Sequence, residues 1–375
     1  MRRVDDLWLI DTTLRDGEQA PGVVFSPEEK VRIASMLDDV GVDEIEAGTA
    51  IMGTTERETI REIVARKLRA RISVWCRACR EDIEAAMETA AQGVHIAFPV
   101  SEIQLAAMGK SRKWIEQTLP DMIHFARQHF TFVSVGAQDA GRCEDLYMKT
   151  FAQFAYSLGV ERLRIADTVG SLTPLVTQRL IASIKERFPQ LRVDFHAHND
   201  LGMATANAVT AWQTGAEAVS VTVNGIGERA GNAALEEVLM AVYPSLTTTR
   251  YNTANLAPLC EYVARVAHRP IPVGKPVCGQ YVYTHESGIH AKGSLSGATV
   301  FQAFDGHQVG RESSCNVFGK HSGRSALTAL LESRGIKLDA VTLARLLTQI
   351  KVVADREKRC LSGEEVLDLY RASAI

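Results

Sequence analysis

One pattern constrains this chain more than any other: from residue 7 to about 240, short apolar β-type runs alternate with longer helix-type segments. A strand, a helical crossover and a second strand running the same way define parallel pairing, because parallel neighbours cannot be joined by a tight turn. The runs are Leu7 to Asp11, Glu44 to Ala47, Arg71 to Trp75, Val94 to Ala97, Phe132 to Val135, Arg162 to Ile165, Arg192 to His196 and Ala218 to Val221. Helix starts lie between them. Ser26-Pro-Glu-Glu29 offers an N-cap serine, a first-turn proline and acids at the positive helix end, and Thr173-Pro174 opens another helix. Eight strand and helix pairs in about 240 residues match a closed barrel better than an open doubly wound sheet. The fold expected is therefore α/β, a (β/α)8 TIM barrel, with functional residues just beyond the C-terminal ends of its strands.

The rest of the chain follows other rules. At 375 residues it exceeds what one hydrophobic core usually organises, and the prolines and glycine of Arg269-Pro-Ile-Pro-Val-Gly-Lys-Pro276 interrupt regular structure. The expected division is a catalytic barrel at 1–260, a linker and Gly/His-rich subdomain at 261–324, and a C-terminal helical region at 325–375. With 46% hydrophobic and 23% charged residues the composition is that of a globular protein. A formal charge of -3 without a long Lys/Arg block excludes nucleic acid as a partner, while small anionic substrates remain compatible with local charge. The apolar run near the N-terminus is too short for a signal segment or a membrane span, and seven dispersed cysteines form no secreted disulfide framework, so a cytoplasmic location is expected. Cys76-Arg-Ala-Cys79 lacks a second pair and reads as thiols near a strand end.

The chemistry gathers at three of the predicted strand ends. The first run leads into Asp11-Thr-Thr-Leu-Arg-Asp-Gly-Glu-Gln19, which places Arg15 and Asp16 at the mouth of the barrel. In the seventh, Asp194-Phe-His-Ala-His-Asn-Asp200 sets His196 and His198 two residues apart, so strand period directs both imidazoles to one face. Two histidines and one carboxylate form a set that holds a divalent metal and leaves positions open for substrate and water. After the eighth run, Asn224-Gly-Ile-Gly-Glu-Arg-Ala-Gly-Asn232 supplies a glycine-rich turn and Asn232, a candidate fourth ligand. That turn lacks the full GxGxxG and does not follow the first strand, so it is no dinucleotide fingerprint. An HxH pair alone is more often packed than metal-bound, and Arg15 with Asp16 could be a structural ion pair; their shared placement at one end of one barrel favours function.

These segments, with His285-Glu-Ser-Gly-Ile-His290 and Gly319-Lys-His-Ser-Gly-Arg324, resemble the isopropylmalate and homocitrate synthases of the metal-dependent barrel superfamily. The resemblance spans nearly the whole chain. Glu46-Ala-Gly-Thr-Ala-Ile-Met-Gly53, Trp75-Cys-Arg77, Ile96-Ala-Phe-Pro-Val-Ser101 and Ile165-Ala-Asp-Thr-Val-Gly170 look closest to the nitrogenase-associated homocitrate synthases. The resemblance implies a condensation of acetyl-CoA with 2-oxoglutarate, a divalent cation (Mg, Mn, Zn, Fe or Co) and a domain-swapped homodimer. It makes Asp16, His196 and His198 the metal ligands with Asn232 close by, and Arg15 the group that polarises the reacting oxygens. It gives Thr168 the 2-oxoacid carboxylate, and His290 of the partner subunit the acid or base role. Glu46 and Ser134 are counted with the substrate contacts.

Four further positions bear on the reaction. Arg77, just after the third run, is the candidate fork for the second carboxylate of 2-oxoglutarate, and His95 at the start of the fourth reads as a packed histidine. Gln138 stands at a catalytic position where relatives carry glutamate, and Phe301 where many carry tyrosine; each removes an ionisable group. The alternatives are another 2-oxoacid acceptor, giving isopropylmalate, citramalate or a phosphonate analogue, and a non-catalytic metabolite-binding relative. The chain stops at Ile375, short of the leucine-sensing domain of long isopropylmalate synthases, so leucine is not expected to inhibit.

Overall fold

The computed structural model describes residues 7–245, 250–294, 300–311 and 315–372. Eight parallel strands close into a barrel: β1 (Trp8–Asp11), β2 (Glu44–Glu46), β3 (Arg71–Arg77), β4 (Gly93–Pro99), β5 (Phe132–Gln138), β6 (Arg162–Asp167), β7 (Val193–Ala197) and β8 (Ala218–Val221). Each strand pairs with its successor, and β8 closes on β1 from Trp8 opposite Ala218 to Asp11 opposite Val221. Helices fill every interval, so the (β/α)8 expectation holds. Strands β3 to β6 run two or three residues beyond the apolar runs that mark them. Apolarity stops at the mouth, but backbone pairing continues, with Arg77 opposite Ala97 and Pro99 opposite Gln138.

Helix α1 (Pro27–Val40) begins where the capping signal lies: Ser26 accepts from the Glu29 amide, and Glu29 reaches back to the Ser26 amide. It ends at Gly41, whose φ of 94° favours glycine. Helix α2 (Thr54–Ala65) follows β2.

The lumen is polar. Glu44 on β2 receives two bonds from Arg162 on β6 (2.9 and 2.8 Å) and one from Ser73 on β3 (2.8 Å). Since β2 and β6 are not neighbours, these bonds cross the barrel interior. Two residues further along each strand, Arg164 bonds both Glu46 (2.8 Å) and Asp194 (2.5 Å), and Ser220 donates to Asp194. Such buried charges are tolerated because each meets an opposite charge and further hydrogen bonds. The alternating positions, Leu163, Ile165, Val193 and Phe195, are fully buried and face outward from the lumen.

The chain divides into two compact units, Met1–Pro270 and Ile271–Ile375. A boundary at 260/261 falls inside the helix Leu256–Val266, whose apolar face is buried in the first unit. The second unit has its own core, in which Phe318, Leu327, Leu346, Ile350 and Val366 pack together from the helices Arg324–Ser333, Ala340–Glu357 and Gly363–Ala372 and the segment before them. Among the described residues, no helix is long and apolar enough to cross a membrane.

Candidate active site

The loop after β1 is folded by its own polar groups. Asp11 accepts from the Thr13 amide (2.9 Å) and hydroxyl (3.0 Å), and the turn that follows carries Arg15 and Asp16 over the barrel mouth. From β7, His196 and His198 reach the same point: their Nε2 atoms lie 3.4 and 3.8 Å from Asp16 Oδ2, with the ring planes at 74°. One potential ligand atom from each of the three falls within 4.8 Å of the others, and all three side chains are buried. Asn232 donates through Nδ2 to Asp16 Oδ1 (2.8 Å) and to the Ile226 carbonyl (3.0 Å), fixing the carboxylate. The approach needs glycine at 227, where φ is 156° and a Cβ would sit 2.0 Å from Asn232 Nδ2.

Arg15 clamps this carboxylate from the other side, with NH1 2.7 Å from Asp16 Oδ2 and Nε 2.6 Å from Glu46 Oε1. Burial pushes the Asp16 carboxyl up, but Arg15 and His196 together hold it well below the usual carboxylate range. Burial, with His196 adding to it, pulls His198 down to about 4. An ionised carboxylate beside a neutral imidazole is the protonation state a divalent cation requires. Both Nδ1 atoms and Asn232 Oδ1 are buried without a hydrogen-bond partner. The mixed N/O donor set thus fits a divalent cation: its imidazoles suit first-row transition ions such as Mn, Fe, Co or Zn, and its oxygens suit Mg or Mn.

Beside the cluster lies a cavity of about 220 Å³. It brings together seven of the residues singled out from the sequence: Arg15, Asp16, His95, Gln138, Thr168, His196 and His198. Thr168 Oγ1 accepts from the Asp139 amide (2.8 Å), which leaves its hydroxyl proton free to donate.

The other residues singled out stand elsewhere. Arg77 does not line this cavity; its side chain is more than half exposed and grips Asp82 through Nε and NH2 (3.0 and 2.7 Å). Glu46 has one oxygen on Arg15 and the other on Arg164, so it positions cations and does not face the cavity. Burial alone would raise its carboxyl, yet Arg15 and Arg164 bring it down to about 2. Ser134 is buried beneath the cavity with Oγ 2.8 Å from His95 Nδ1. His95 is both packed, as its burial indicates, and cavity-lining; burial first, then Arg164 and Arg162, hold its imidazole well below the ordinary range and hence neutral.

Trp75 and Arg164, which also line the cavity, were not legible as site residues. For Arg164 the available signal is a charge at period two, Arg162-Leu-Arg164-Ile, in a run that otherwise reads as buried strand.

His290 lies in the second unit, stacked on Phe301 with ring centroids 4.4 Å apart and planes at 19°, and edge-on to His285 at 5.8 Å. Cys76 is buried and Cys79 half-buried, the latter bonded to Asp82, and neither joins a metal-ligand group among the described residues.

An HMGL-like family model matches residues 6–263, and a homocitrate synthase post-HMGL domain-like model matches 277–358. A 2-isopropylmalate synthase 2 of Caldanaerobacter subterraneus subsp. tengcongensis is 40% identical over 366 residues, covering 97% of this chain and 95% of that protein. A homocitrate synthase of Frankia alni is 43% identical over 327 residues (87% and 93%). A 2-phosphonomethylmalate synthase of Streptomyces rubellomurinus is 37% identical over 372 residues (99% of each chain). In fold, the chain resembles the crystal structure of a Bacillus subtilis HMG-CoA lyase, with a TM-score of 0.66 at 19% identity over 72% of this chain and 97% of that one. With near full-length relatives at this identity and both domain models in order, the chain belongs to the isopropylmalate/homocitrate synthase family.

Proposed function

We propose that this protein is a metal-dependent homocitrate synthase, condensing acetyl-CoA with 2-oxoglutarate and hydrolysing the thioester to homocitrate and CoA. The observation that carries the reading is the convergence of Asp16, His196 and His198 beside Arg15 at the C-terminal mouth of the barrel. Those three residues would hold the divalent cation, with Asn232 Oδ1 available to it, and a cation there supplies Lewis-acid polarisation of the 2-oxo group.

The chain's own groups account for the rest. The Thr168 hydroxyl donates to the carboxylate next to the keto group. His290 of the partner subunit, in the domain-swapped dimer that belongs to this reading, takes a methyl proton from acetyl-CoA. The C–H electron pair becomes the enolate, whose oxygen faces the Arg15 guanidinium, a cation that keeps its charge throughout. The enolate carbon then bonds to the keto carbon, and the resulting alkoxide recovers a proton. Water splits the thioester, releasing thiol and carboxylate. Gln138 can hydrogen-bond in the cavity but cannot carry a proton as glutamate would.

The relatives named above are, by name, synthases of different products at similar identity, so other 2-oxoacids form the second reading. A thiol-release assay with acetyl-CoA, a panel of 2-oxoacids and several divalent metals tests both. Release with 2-oxoglutarate that exhaustive chelation abolishes is expected. Release with another acceptor only would move the assignment to that acceptor, and none with any acceptor would leave a metabolite-binding relative.

A further inference from the structure

We propose that the floor of the cavity is a second anion subsite, in which the Arg164 guanidinium and the His95 imidazole bind the far carboxylate of a dicarboxylic 2-oxoacid. The proposal rests on reading the cavity as a 2-oxoacid site and names what selects the acceptor there.

Arg164 is 2% exposed, lines the cavity and has two of its three nitrogens committed, Nε to Asp194 at 2.5 Å and NH1 to Glu46 at 2.8 Å. The third, NH2, is buried with no hydrogen-bond partner. A guanidinium is rigid and planar, so with two nitrogens anchored it cannot turn to satisfy the third. A buried donor left unmet is costly, and this one belongs to a side chain that lines the cavity, within reach of an occupant seated against it.

His95 supplies the second donor. Its Nδ1 is taken by Ser134 Oγ at 2.8 Å, which leaves Nε2 for the cavity. The strands keep the space between the two open. Arg164 is in register with Gly136, and Gly136 with Ala97, so neither neighbour carries more than a methyl group. A Cβ at Gly136 would lie 2.6 Å from His95 Nε2, so only glycine leaves that nitrogen reachable.

Thr168 and Arg164 stand on the same inner face four residues apart, one toward the mouth and one toward the floor. β6 and the turn that follows it therefore read both ends of the acceptor. An acceptor ending in an isopropyl group would leave the Arg164 nitrogen dry and unpaired. A site built to hydrogen-bond a group rejects the analogue lacking it far more strongly than an apolar pocket rejects a methylene. The recognised class is a 2-oxoacid with a second anionic group, and the carboxylate is the occupant assigned; a phosphonate shares the chemistry and is separated by experiment.

The test uses the full-length protein loaded with Mn²⁺ and measures both calorimetric binding and thiol release, with 2-oxoglutarate, 3-phosphonopyruvate and 2-oxoisovalerate. The variants are Arg164→Lys, which keeps the charge facing Glu46 and Asp194 but removes the fork, and His95→Leu. Each is expected to weaken 2-oxoglutarate about 10-fold or more, while changing 2-oxoisovalerate and the KM of acetyl-CoA less than about two-fold. If Arg164→Lys does not fold, as judged by circular dichroism, His95→Leu decides alone. Tighter binding of 3-phosphonopyruvate that the same variants abolish supports the anion subsite and reassigns its occupant. A wild-type preference for 2-oxoisovalerate, or variants that weaken all acceptors equally, overturns it. Variant-sensitive binding of 2-oxoglutarate without thiol release from any acceptor would sink the synthase reading and leave the subsite standing.

Discussion

Asp11 is fully buried, bonded by Thr13 and flanked by the carboxylates of Glu236 and Glu46, and burial above all pushes its carboxyl up to about 7. The folded protein therefore keeps a proton there that the unfolded chain releases from about pH 4 upward, so stability falls as pH rises from about 4 to 7, by at most about 4 kcal/mol. Asp11→Asn removes the ionisation; its thermal midpoint should exceed that of the parent at pH 8, with the gap closing toward pH 4. A gap independent of pH would show that Asp11 is ionised throughout. Arg77 makes the opposite point. A strand-end arginine reads as a carboxylate fork, yet Asp82, five residues on, already occupies it. Arg77→Met is accordingly expected to leave the KM for 2-oxoglutarate within about two-fold of wild type. Asp16, His196 and His198 were legible because two of them are two residues apart on one strand and the third follows another strand's end. Arg164 was not, because nothing local says that Glu46 and Asp194 will each take one of its nitrogens and leave the third unpaired in a side chain that lines a cavity.

At the scale of elements, the β1–α1 loop is tied down by a charge buried in α1. Lys30 is 2% exposed, and its Nζ bonds Glu18 of the loop at 2.8 Å and Glu56 of α2 at 2.9 Å. Glu18 in turn accepts from the Phe25 amide, and Glu56 from the Thr49 amide, so one ammonium fastens the segments following β1 and β2. Lys30→Met would strand two partly buried carboxylates and is expected to cost about 2 to 3 kcal/mol. Because the loop carries Arg15 and Asp16, the same variant should weaken Mn²⁺ binding measured by calorimetry. Unchanged affinity in a destabilised protein would confine Lys30 to stability. The start of helix α1 was readable to the residue from Ser26-Pro-Glu-Glu29, since capping is local. The ends of β3 to β6 were not, since pairing with a neighbouring strand holds them after their apolar pattern has ended.

For the whole molecule, the residues of the proposed reaction are divided between two compact units, Asp16 in the first and His290 in the second. If a partner subunit supplies His290, mixing inactive Asp16→Asn with inactive His290→Ala should restore about a quarter of the wild-type rate after subunit exchange, because half of the dimers are mixed and each has one intact site. No recovery from a mixture shown to exchange would place both residues in one chain's site. By itself, the sequence determined the barrel, the helix starts at Ser26-Pro27 and Thr173-Pro174 and the metal-ligand candidates, because strand period, capping and turn chemistry act over a few neighbouring residues. Only the tertiary structure decided which charged groups share a space. Arg162 and Glu44 meet across the lumen from positions 118 residues apart, and closure of the barrel, not any local pattern, brings together Arg15, Glu46, Arg164 and His95.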